Sequence, residues 1–125
     1  MTVAIDALDT IAADWAPTMI KIDVEGFEAN VIRGAAALLA QTSLQAVLIE
    51  PNGLGARYGF SDTDIHAQLL KHGFRPAHYA PVARQLHALE DHRTIGNTLY
   101  VPPSTQLEQA LWEAQSSYFG ATWRI

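Results

Sequence analysis

Two short acidic stretches carry the side chains best suited to chemistry. They are Ile22-Asp23-Val24-Glu25-Gly26 and Glu50-Pro51-Asn52. Each leaves an apolar run, Thr18–Asp23 in one case and Leu44–Glu50 in the other. In open α/β sheets, ligands bind outside the carboxyl ends of the strands. If the two runs are neighbouring strands, Asp23 and Glu50 project over one crevice. Carboxylates so placed ligate a cation, hold an amine or hydroxyl, or accept a proton. A plainer account serves Glu25 and Glu28: acids in a first helical turn are stabilised by the helix dipole, and Gly26 eases the turn before them. Asp23 and Glu50 are harder to explain that way, because strand-end acids are costly without partners.

The elements that must position these acids follow from apolar periodicity. Asp6–Trp15 has helical spacing and stops before Pro17. Thr18–Asp23 and Leu44–Glu50 read as buried strands, apolar on both faces. Phe27–Gln41 reads as one amphipathic helix, with Gly34 inside it explained by close packing on a sheet. Ser61 is a good N-cap for the next helix, with Asp62 and Asp64 in its first turn and Gly73 beyond its end. Arg75–Tyr79 and Gln85–Leu89 read as a closely spaced antiparallel pair, and Thr98–Val101 as a further strand. Thr105-Gln-Leu-Glu opens a last helix, through about Tyr118, by a capping box. Helices between strands that are apolar on both faces predict a mostly parallel α/β sheet with helices on both faces.

Composition bounds the function classes. The chain has 125 residues, 49% of them hydrophobic, which suits a single globular domain over 1–125. Eight Lys+Arg against 13 Asp+Glu, a net charge of −5, argue against nucleic acid as a partner. The absence of cysteine excludes disulfide scaffolds and thiolate chemistry. Apolar runs such as Ala35–Ala40 are too short to span a membrane, and no signal peptide is visible, so a cytoplasmic protein is expected. No G-x-S-x-G, G-x-G-x-x-G or Walker A pattern occurs. The five histidines form no H-x-x-x-H pattern, and His66 and His72 are six apart, so no metal site is expected. Asp91-His92-Arg93 reads as a solvated turn, and the aromatics Trp112, Tyr118, Phe119 and Trp123 as packing or interface.

The run Met19-Ile-Lys-Ile-Asp-Val-Glu-Gly-Phe-Glu-Ala-Asn-Val-Ile-Arg-Gly-Ala resembles a strand and helix of the FkbM-type S-adenosylmethionine-dependent methyltransferases. Ala7-Leu8-Asp9-Thr10-Ile11, Val47-Leu-Ile-Glu and Gly96-Asn-Thr-Leu-Tyr-Val-Pro102 support the likeness. The resemblance implies a class I, Rossmann-like methyltransferase sheet with an antiparallel closing strand. It implies S-adenosylmethionine as cofactor and a small-molecule hydroxyl, on a sugar or polyketide, as methyl acceptor. Asp23, Glu25 and Glu50 would then be catalytic, Asn52 and Asn97 would bind substrate, and Asp23 and Gly26 would lie beside the cofactor. The family's glycine-rich loop precedes this pattern, so the chain is expected to be the C-terminal half of the domain and to bind the cofactor weakly alone. Strand Thr18–Asp23 is then expected to lie at an exposed edge, covered by Thr2–Ile5, a second copy in a homodimer, or a complementing chain. Two other readings stand beside this one: a non-catalytic α/β association module, and a cation-binding enzyme using Asp23 and Glu50.

Overall fold

A computed structural model describes residues 2–103, 105–113, 116–118 and 121–123. The elements run α1 (Leu8–Ile11), β1 (Met19–Ile22), α2 (Glu28–Arg33), α3 (Ala36–Leu39) and β2 (Ala46–Ile49). A 3-10 turn (Leu54–Tyr58), α4 (Asp62–Lys71), β3 (Arg75–Ala80), β4 (Gln85–Ala88) and β5 (Thr98–Val101) follow. The chain continues with α5 (Thr105–Glu113) and a small hairpin, β6 (Ser116–Tyr118) with β7 (Ala121–Trp123).

Five strands form one sheet in the order β1-β2-β5-β3-β4. Only β1 and β2 pair in parallel; β2–β5, β5–β3 and β3–β4 are antiparallel. The fold is therefore mixed α/β, and the expected mostly parallel sheet is corrected to a mostly antiparallel one. Connection length explains the pairing. The segment between β1 and β2 holds α2 and α3, long enough for a crossover to a parallel neighbour. Between β3 and β4 only Pro81–Arg84 intervenes, which permits nothing but a hairpin. β5 enters between β2 and β3 and runs against both, so β1, β2 and β3 share one direction without all being adjacent.

The core is built from Ile22, Ile32, Leu39, Leu44, Val47, Ile49, Ile65, Leu69, Phe74 and Tyr100, among others. Val47 and Ile49 are fully buried in the interior strand β2. β1 differs. It lies at the sheet edge, and Met19 and Lys21 are exposed while Ile22 is buried. An edge strand has one neighbour and one open side, so the expected burial on both faces does not hold for it. Thr2–Ile5 is exposed and joins no strand, so it does not cover that edge.

Three helices differ from expectation. The segment Phe27–Gln41 is not one helix but two, α2 and α3, divided at Gly34–Ala35. Gly34 accepts the Asp9 N–H at 2.8 Å, and the Asp9 carboxylate accepts the N–H groups of Ala37 and Leu38, each at 2.9 Å. Asp9 thus caps α3 from a distance, satisfying donors that an unbroken helix would have bonded internally. A Cβ on Gly34 would meet Ala7 at 3.4 Å, so its close packing is against the start of α1 rather than the sheet. α1 itself is only four residues, shorter than the predicted Asp6–Trp15. The last helix ends at Glu113, and Tyr118 belongs to β6. The capping box at Thr105 and the clustering of Trp112, Tyr118, Phe119 and Trp123 concern side chains outside the described residues.

α4 begins as its sequence directs. Ser61 and Asp64 form a reciprocal capping box: Asp64 N–H donates to Ser61 Oγ at 3.1 Å, and Ser61 N–H donates to Asp64 Oδ2 at 2.7 Å. These bonds hold the Asp64 carboxyl below its usual range, the Ser61 backbone N–H contributing most. Gly73, at φ 90°, turns the chain out of the helix.

Candidate active site

Strand register brings the predicted residues to one end of the sheet. Ile22 pairs with Ile49, and Ile49 with Thr98. One step beyond these pairs, Asp23, Glu50 and Asn97 stand abreast on β1, β2 and β5. Asp23 and Asn97 are exposed and Glu50 is half-buried. Lys21, two residues back and on the same face of β1, pairs with Asp23 at 2.6 Å. Both members of that ion pair are about half exposed, so it contributes at most about 1 kcal/mol to stability. Its larger effect is local: it compensates the Asp23 charge and orients the carboxylate.

The loops after β1 and β2 are fastened to each other. Asn52 donates from Nδ2 to Glu25 Oε2 at 3.3 Å, while its Oδ1 accepts the Leu54 N–H at 3.0 Å. Gly53 N–H donates to both carboxylate oxygens of Asp62, at 3.2 and 3.1 Å, which anchors the second loop to α4. Gly26 sits at φ 106°, and a Cβ there would come within 2.7 Å of the Leu54 carbonyl oxygen. A glycine is therefore required where the two loops cross. Its N–H donates to Glu28 Oε1 at 3.0 Å, which partners the buried Glu28 carboxylate. Glu25 holds φ 52°, the left-handed region that non-glycine residues occupy at a cost of about 1–2 kcal/mol. The backbone strain and the Asn52 bond together fix where the Glu25 carboxylate stands.

The five polar residues of the sequence reading thus occupy one region, in two groups. Asp23, Glu50 and Asn97 form a row set by strand register. Glu25 and Asn52 form a bonded pair on the loops above it, with Gly26 as the crossing point. The arrangement offers carboxylates and amides to a hydroxyl, an amine or a cation. Two open grooves of about 770 and 690 Å³ lie elsewhere, the first beside Arg33, Phe60 and Asp64, the second beside Leu39, Gln41 and Pro102. In the first, the Arg33 guanidinium lies 4.4 Å above the Phe60 ring.

A second polar cluster was not anticipated. His66 on α4, Asp91 and His92 in the β4–β5 loop, and Tyr100 on β5 converge. Tyr100 Oη lies 2.7 Å from His66 Nδ1, and His92 Nδ1 lies 2.6 Å from Asp91 Oδ1. Burial lowers the pKa of His66, opposed by the charge of Asp91, and raises that of the Tyr100 hydroxyl. The His92 backbone N–H, then its ring, holds the Asp91 carboxyl below its usual range. Nothing in the spacing of residues 66, 91, 92 and 100 signals this cluster. The available hint was an Asp-His pair in a turn, which is common on surfaces.

No curated protein and no solved structure matches the chain. A family model does: the methyltransferase FkbM domain matches residues 1–76, which include Asp23, Glu25, Gly26, Glu50 and Asn52 but not Asn97 or β5. No helix among the described residues is long and apolar enough to cross a membrane. With more than half of its length matched, from α1 through the acid-bearing loops to the start of β3, the chain belongs to the FkbM methyltransferase family.

Proposed function

We propose that this chain supplies the acceptor side of an S-adenosylmethionine-dependent methyltransferase that methylates a small-molecule hydroxyl, as on a sugar or polyketide. The observation that carries the reading is the row of Asp23, Glu50 and Asn97 at one sheet end, with Glu25 and Asn52 fastened above it. Bound S-adenosylmethionine supplies an electrophilic methyl group on a cationic sulfur. The chemistry of the donor set fits that group, since carboxylates attract a sulfonium and an ammonium and accept bonds from hydroxyls. Asn97 and Asn52 orient the acceptor, and Glu50 takes the proton of its hydroxyl as the oxygen becomes nucleophilic. Asp23, already compensated by Lys21, holds a hydroxyl or amine in place rather than serving as the base. Gly26 acts beside the cofactor by letting the two loops cross closely.

In this reading the sheet is one part of a Rossmann-like domain, and the outer edge of β1 is where the cofactor-binding strands pair. The open backbone of β1 supports this, with exposed Met19 beside it. Calorimetric titration of S-adenosylmethionine into the 125-residue chain is expected to give weak binding. Adding the glycine-rich strand–loop–helix half of an FkbM domain is expected to restore it, together with labelled-methyl transfer to a hydroxylated acceptor. Glu50→Gln should abolish that transfer while leaving cofactor binding intact. Full transfer by the Glu50→Gln form overturns the assignment of the base.

One observation favours a second reading, an association module in the cytoplasm that uses the same edge. Val3, Ile5, Ile11 and Trp15, at the start of the chain leading to β1, are 65, 88, 58 and 62% exposed. Light scattering separates the two: a dimer lost on Met19→Asp favours association through a second copy, and a monomer disfavours it.

A further inference from the structure

Around Asp91 the polar groups converge on one carboxylate oxygen, which also accepts the His92 backbone N–H at 2.7 Å. His66 Nε2 faces Asp91 Oδ1 at 3.6 Å, too far for a hydrogen bond. His92 Nδ1 approaches the same oxygen at 2.6 Å. One oxygen is thus shared by two imidazoles, and the donor atoms of the three residues all lie within 4.8 Å of one another. Both imidazoles are 11% exposed, whereas the Asp91 side chain is 71% exposed. Two largely buried imidazoles and a carboxylate open to water describe a three-ligand metal site.

We propose that His66, Asp91 and His92 bind a divalent transition-metal ion of the zinc class, which clamps the β4–β5 loop onto α4. Two nitrogens and one carboxylate oxygen suit Zn²⁺, and they suit it better than the all-oxygen shells that Mg²⁺ and Ca²⁺ require. Tetrahedral bonds near 2.0–2.1 Å place donor atoms about 3.3 Å apart. The 3.6 Å and 2.6 Å pairs bracket that spacing, and all three donor atoms lie within 4.8 Å of one another. Tyr100 supplies the outer partner that metal-bound histidines ordinarily have: its buried hydroxyl engages His66 Nδ1 at 2.7 Å and leaves Nε2 directed at Asp91.

The clamp has a structural consequence. The β4–β5 loop is otherwise tied to β5 by the Arg93 N–H, which donates to the buried Thr98 Oγ1 at 2.9 Å. That loop ends at Asn97, the member of the row that precedes β5. Fixing Asp91 and His92 to α4 therefore fixes the approach to Asn97. The site does not depend on the methyl-transfer reading, since none of its ligands belongs to the acid row.

The test uses the purified chain stripped with EDTA. Zn²⁺ titration by calorimetry should give one equivalent bound, and Co²⁺ as a spectroscopic probe should give visible absorption bands of a low-symmetry site. Asp91→Asn keeps the shape of an exposed side chain and should remove both signals, as should His92→Ala, with circular dichroism confirming the fold. Tyr100→Phe, acting through His66, should weaken Zn²⁺ binding about 10-fold. His78→Ala removes one member of the exposed histidine pair His78–His87 on the β3–β4 hairpin, and should change nothing. Retention of Zn²⁺ binding in both Asp91→Asn and His92→Ala, its loss in His78→Ala, or no binding by the parent chain overturns the site.

Discussion

At the carboxyl ends of β1 and β2 the polar side chains are largely exposed and are held by bonds to backbone and by a strained turn. Around Tyr100 they are held by one another, with His66 and Tyr100 buried and Asp91 open to water. Asn52 bonds Leu54 N–H and Glu25, and Asp62 bonds Gly53 N–H. His66 and Tyr100, in contrast, meet 34 residues apart in sequence, inside the core. The two regions divide stability and function differently. Exposed groups pay little when a partner is removed, because water replaces it. Buried groups lose a partner that nothing replaces. The acid row can therefore change its side chains for chemistry at small cost to the fold. The buried pair His66 and Tyr100 cannot.

Three substitutions test that contrast, in decreasing order of effect. Gly26→Ala is the exception within the exposed region, because its backbone position is what matters. A Cβ 2.7 Å from the Leu54 carbonyl at φ 106° forces the loops apart, and urea unfolding should show a loss of about 3 kcal/mol. A loss below about 1 kcal/mol means the loops yield easily, and the site is less rigid than argued. Tyr100→Phe deletes one oxygen from the buried cluster and leaves His66 Nδ1 without its 2.7 Å partner. It should cost about 2 kcal/mol by the same measurement. Asn52→Ala removes two bonds of the exposed loop yet should cost under about 0.5 kcal/mol, because solvent reaches both partners. On the proposed function, acceptor KM of the complemented enzyme should rise while the unfolding midpoint stays in place. If Asn52→Ala proves as destabilising as Tyr100→Phe, the division between the two regions fails.

Local features were legible where neighbouring residues decide the structure. Ser61 and Asp64 lie three apart, so a capping box needs nothing beyond that segment. Thr98–Val101 forms β5 over the predicted residues, and β3 (Arg75–Ala80) and β4 (Gln85–Ala88) form the expected antiparallel pair because the four residues between them can close nothing but a hairpin. Asp23 and Glu50 were readable as strand ends for the same reason. The break in Phe27–Gln41 was not readable, because Asp9, 28 residues before Ala37, supplies the cap that splits it. The pairing of Glu25 with Asn52 was also hidden, since it depends on the crossing of two loops at Gly26.

By itself the sequence determined the order of β1 to β5 and of α4 between them, the acids that leave the first two strands, and a family resemblance carried by one continuous stretch. These are local facts, set by side-chain period, capping and turn chemistry over a few residues. Only the tertiary structure decided that β5 would enter between β2 and β3, making the sheet mostly antiparallel. It alone drew His66, Asp91, His92 and Tyr100 together, whereas the edge position of β1 was already implied by the family resemblance. Those outcomes depend on which strand finds which neighbour. That choice is made by the burial of the whole core, and no window of the sequence contains it.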